Sequence, residues 1–172
     1  MHFSACFKHV TAWILGLKPS EQGTIHPMLI QPSQADVRRF FCGVYAKAKT
    51  SAPLEPMEML VSQWIDEHPE YHSALSDVDA ALRDMARVDP NQENPFLHLS
   101  MHLSISEQCS IDQPRGIRQA VELLSKRLDS LHDAHHAAME CLGQMLWDSQ
   151  RSGRPPDGDA YIAAVQRRAT QD

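Results

Sequence analysis

Ten histidines stand in this chain of 172 residues, and their spacing is the first feature with chemical content. Six of them form three pairs, His68/His72, His98/His102 and His132/His136, with His135 beside the last. Two imidazoles four residues apart lie on one face of a helix, the geometry that lets them share a single ion. Helical bundles build metal sites from such inward-facing side chains on neighbouring helices. At about 100° per residue, Ser100, Ser104 and Glu107 share one narrow polar arc, and His98, His102 and Cys109 lie opposite, directed inward. On the helix around His135, the apolar arc centres near Leu131, Leu142 and His135. His135 therefore faces the core, His132 sits at its border, and His136 with Glu140 leans outward. The constellation this spacing singles out is His98, His102 and His135, with His132 and Glu140 as additional groups, and the ion it would hold is a divalent metal, zinc or iron.

A second account makes the same histidines satisfied core groups that join helices through their ring nitrogens. His68 and His72 flank Pro69 at a helix end, where a histidine complements the C-terminal dipole, so they are read as caps. The sequence has no H-E-x-x-H or E-x-x-H element, no G-x-S-x-G, no phosphate-binding glycine loop and no dinucleotide fingerprint. The four cysteines, at 6, 42, 109 and 141, include no C-x-x-C pair. They read as small buried hydrophobes in a reducing compartment, and Cys109 or Cys141 as inert packing before a thiolate nucleophile. Trp64 and Trp147 read as core or groove anchors.

The elements that must position these side chains are helices. Ser33 with Asp36 opens one, and Val37, Phe40, Phe41, Val44, Tyr45 and Ala48 give it an apolar stripe. Pro56 suits the first position of a second, bearing Met57, Leu60, Val61, Trp64 and Ile65, which Pro69 closes. A Ser76 cap starts a short third through Val78, Ala81, Leu82 and Met85. Asn94-Pro95 begins a helix with no charge until Glu107, the mark of a buried central helix. Asp112-Gln-Pro starts the next, with Ile117, Ala120, Val121, Leu124 and Leu128 on one face. A long helix runs from near Leu131 to Arg151 and stops at Gly153, and Asp157 caps a last one with Tyr161, Ile162 and Val165. No segment alternates with period two. The expectation is an all-α, single-domain bundle of five to seven helices with a central buried helix near 95–109.

Residues 1–27 show no amphipathic period, and Met28 stands where the orderly pattern begins. They are read as a flexible or mis-called extension, with 28–172 as one helical domain. Val10 to Leu17 is too short to cross a bilayer and precedes no small-x-small cleavage site. A net charge of −6 argues against nucleic acid and anionic membrane as partners, both of which are held by Lys and Arg. The expected location is the cytoplasm.

Asn94-Pro-Phe-Leu-His-Leu-Ser-Met-His-Leu, Glu107-Gln and Gln113-Pro-Arg-Gly-Ile-Arg resemble the bacterial domain-of-unknown-function family numbered 1841. So do Val37-Arg-Arg-Phe-Phe, His68-Pro-Glu-Tyr-His, His135-His136 before Met139-Glu-Cys-Leu-Gly, and Gln150-Arg-Ser-Gly-Arg-Pro-Pro-Asp. The resemblance covers about Met28 to Arg168 and implies an all-helical, cytoplasmic protein and no particular reaction. The functional expectation is a non-enzymatic domain that binds a partner protein or self-associates, with Arg115 to Arg118 and Arg151 to Asp157 as recognition surfaces. The alternative is a metal-binding protein or metal-dependent enzyme built on the inward histidines.

Overall fold

A computed structural model describes residues 33–86 and 93–171, so the proposed extension 1–27 lies outside the described residues. The chain is all-α: every regular element among the described residues is helical. The helices are α1 (Gln34–Lys49), α2 (Pro56–Asp66), α3 (His72–Leu75), α4 (Val78–Arg83), α5 (Pro95–Ile111), α6 (Ile117–Leu128), α7 (Leu131–Ser152) and α8 (Gly158–Thr170). Two 3-10 turns flank short helices: Pro69–Tyr71 leads into α3 and Asp84–Ala86 extends α4.

Local chemistry sets most helix ends. Ser33 and Asp36 form a reciprocal capping box, with the Ser33 hydroxyl accepting from the Asp36 amide at 3.2 Å and Asp36 accepting from the Ser33 amide at 2.9 Å. Pro56 opens α2 where its missing N–H costs nothing. Asn94 accepts from the amides of Phe96 and Leu97 at 3.1 and 3.3 Å. Asp77, not Ser76, caps α4, accepting from the Ala80 amide at 2.9 Å. Ser76 has helical backbone angles, whereas Asp77 is extended, as an N-cap must be. Gly153 ends α7 at φ 66°, in the left-handed region that a Cβ disfavours.

The chain forms two compact units that divide at the Leu103–Ser104 step inside α5. In the first, α1 packs on α2, α3 and α4. Its core gathers Phe41, Val44, Val61, Ile65, Leu75, Leu99 and Leu103. In the second, α6 packs on α7 and α8, and α7 on α8, around Ile117, Leu124, Leu142 and Val165. Arg118 closes the last turn of α5 by donating to the carbonyls of Cys109 and Ser110 at 2.7 and 2.6 Å. Arg118, at one end of the Arg115–Arg118 stretch, thus acts as a structural clamp.

Helix α5 is buried more completely than its sequence arcs imply. The polar arc of the expected central helix is itself enclosed, with Ser100 and Ser104 fully buried. A buried hydroxyl needs a partner. Ser100 donates back to the Phe96 carbonyl at 2.6 Å, and Ser104 accepts from Gln108 at 3.3 Å. Two apolar residues go the other way: Trp147 is 61% exposed and Leu131 55%, so neither belongs to the core.

The second unit buries two further polar side chains. Tyr161 is enclosed, and its hydroxyl has no hydrogen-bond partner. His135 is also enclosed. Burial first, then the neighbouring His132 and His136, push its pKa down to about 3.

Two outcomes follow from this packing. Leu103→Asp places a charge at a position 2% exposed, and is expected to cost about 3–5 kcal/mol. Urea unfolding checks this, and a mutant within about 1 kcal/mol of the parent would contradict it. His135 stays neutral when folded but takes a proton when unfolded below the ordinary imidazole value of about 6.5. It therefore removes stability as pH falls from about 6.5 towards 3, at up to about 1.4 kcal/mol per pH unit. His135→Leu should flatten the decline of unfolding free energy between pH 7 and 5, and an unchanged slope would count against it.

Candidate metal centre

Three imidazoles converge within the first unit, and each arrives by a different local route. His102 sits on α5 with no solvent exposure. Its ring stacks on Trp64 of α2, with centroids 4.1 Å apart and planes 20° apart. His98 lies one turn earlier on the same face, and its Nε2 is 3.2 Å from His102 Nε2. His68 follows α2 at the point where Pro69 breaks the helix into a 3-10 turn. That break directs His68 inward, where it is 2% exposed, with its Nε2 2.8 Å from His102 Nε2.

Carboxylates hold the far side of two of these rings. Glu70 Oε1 lies 2.7 Å from His68 Nδ1, and Glu93 Oε1 lies 2.6 Å from His98 Nδ1. A carboxylate can only accept, so both Nδ1 atoms carry the proton, and in the neutral form of either ring the Nε2 lone pair then points towards His102. Burial lowers the His98 pKa, outweighing the attraction of Glu93, and so favours the neutral ring. Tyr71 stacks on His68 at 5.0 Å and also engages Glu93. Burial and the Glu93 hydrogen bond raise the Tyr71 pKa, so its hydroxyl remains a donor.

The geometry has a definite chemical capacity. His102 Nε2 faces two lone pairs, and a single proton on it cannot point squarely at both. A cation accepts from all three nitrogens if His102 carries its proton on Nδ1. Tetrahedral zinc at 2.0–2.1 Å from each nitrogen requires neighbouring nitrogens about 3.3 Å apart. The His98–His102 separation already meets that, and His68 needs to withdraw by about half an ångström. Glu70 and Glu93, accepting from the Nδ1 atoms of His68 and His98, fix the tautomer and orientation of those two rings.

Of the residues singled out by spacing, His98 and His102 come together as neighbours. His135 lies in the core of the second unit. His132 is partly buried with its Nδ1 3.8 Å from Asp133, and its ring packs on His136 at 4.2 Å. Glu140 is at the surface, 2.6 Å from Arg168. The capping role holds for His72, which donates to the Ile65 carbonyl of α2 at 3.1 Å. It does not describe His68, whose ring is occupied by Glu70 and His102. A sequence signal for this was present in His68-Pro69-Glu70, which sets a carboxylate two residues from a histidine beside a helix-breaking proline. Burial pushes the Cys109 thiol up to about 11 and raises that of Cys141, so neither supplies a thiolate near neutral pH.

Comparison with known proteins gives one match. Residues 33–167 fit the family described as Domain of unknown function (DUF1841). No curated protein and no solved structure matches the chain. The matched span includes all three converging histidines and both glutamates, and it covers most of the sequence. The chain belongs to the DUF1841 family.

Proposed function

We propose that this is a metal-binding helical protein that takes a divalent transition ion, zinc in preference, on the Nε2 atoms of His68, His98 and His102. The observation that carries this reading is the convergence of those three atoms, at 2.8 and 3.2 Å, with two of the rings held from behind by carboxylates. Imidazole suits zinc and iron among the divalent ions, and three histidines leave a fourth position for water or another ligand. The ion would tie the turn after α2 to the first half of α5. Its binding energy would therefore contribute to the stability of the first unit. A second reading, association with a partner protein, draws on the exposed indole of Trp147.

Cobalt(II) titration of untagged protein, read by visible absorption, tests the metal reading. One equivalent should give a tetrahedral-type spectrum that zinc displaces, and saturating zinc should raise the Tm by several degrees. The affinity should fade as pH falls through about 6.5, because protons compete for the imidazole lone pairs. The double variant His98→Gln with His102→Gln should abolish binding. The surface variant Glu93→Gln, which leaves all three ligands, should weaken it by about 10–100-fold. An unshifted Tm in zinc together with no cobalt spectrum would remove the proposal.

A further inference from the structure

The second unit contains a cleft of about 660 Å³, within the usual size range of small-molecule sites, and none of the histidines lines it. It is formed by the C-terminal half of α7, the loop after it, and α8. Met145, Tyr161 and Ala164 are among the apolar residues of its lining, and Arg151, Arg154 and Arg167 are its basic residues. Among the described residues none of these arginines takes part in an ion pair. The two carboxylates in the lining are already engaged. Asp148 accepts from Gln144 at 3.0 Å, and Asp157 caps α8 through the Ala160 amide at 2.9 Å. Nearby Glu140 is held by Arg168. In a chain of net charge −6, a cleft lined by three arginines against two carboxylates is a local reversal of the overall balance.

We propose that this cleft binds a small organic phosphate, with the phosphoryl group on the arginines and an apolar body against Met145, Tyr161 and Ala164. Three guanidinium forks offer more donors than a carboxylate's two oxygens can accept. They match the three terminal oxygens and near-double charge of a phosphate monoester. The apolar surface excludes inorganic phosphate as the best ligand, because it would leave that surface wet.

Isothermal titration with phenyl phosphate, inorganic phosphate and benzoate at low salt tests the proposal. Phenyl phosphate should bind at one site, at least about tenfold more tightly than either of the other two, and should weaken as sodium chloride is added. Arg154→Gln and Arg167→Gln should each lower its affinity by about tenfold. Both positions are exposed, so the fold should be retained. In the parent protein, the methyl resonances of Met145 and Ala164 should shift during the same titration. The His98→Gln, His102→Gln double variant should bind phenyl phosphate as the parent does, because this site is independent of the metal centre. Absence of binding, equal affinity for benzoate, unshifted methyls, or full affinity in both arginine variants would each overturn the proposal.

Discussion

The first unit depends on how His102 is satisfied. An imidazole shut away from water must find its partners within the protein or lower stability by the full cost of desolvation. Here one ring nitrogen is met by His68 and His98 together, and one ring face by Trp64. That arrangement accounts for details that look unrelated in sequence. Pro69 breaks α2 where His68 must turn inward, and Glu93 stands one residue before the cap of α5, where it reaches His98. Tyr71 meets both His68 and Glu93, so the turn after α2 and the start of α5 share one polar network.

Such a network is either an all-protein hydrogen-bond system or a ligand set, and the position of the protons separates the two. Carboxylates on the Nδ1 atoms of His68 and His98 fix the tautomer that leaves Nε2 as a donor atom towards a metal. Burial reinforces this at His98 by disfavouring the charged ring. A purely structural network requires no such convergence of lone pairs on one nitrogen. The same network explains why the metal reading is tied to stability: the ligands come from two segments that the ion would hold together.

The helices were largely legible from the sequence because their signals are local. Ser33 with Asp36, Asn94 before Pro95, Gly153 after α7 and Asp157 before α8 each act within four residues, and the structure uses each as expected. The Ser76 cap failed by one residue, because backbone angles rather than residue type select between Ser76 and Asp77. The polar arc of α5 is buried with the rest of the helix, as a central helix requires. A helix enclosed on both arcs has no outside, and serine is tolerated there because it can bond its own backbone.

The candidate metal centre was half legible. His98 and His102 share a helix face, so their pairing follows from a spacing of four. His68 lies thirty-four residues from His102, and only tertiary packing brings them together. Its place beside a proline suggested a cap, a role that belongs instead to His72. Glu70 and Glu93 lie outside α-helices, where no periodicity marks an inward residue. X-ray absorption at the zinc edge of the loaded protein tests the ligand set most directly. The account predicts at least three imidazole nitrogens at about 2.0–2.1 Å, and a sulfur shell at about 2.3 Å or an oxygen-only shell would contradict it.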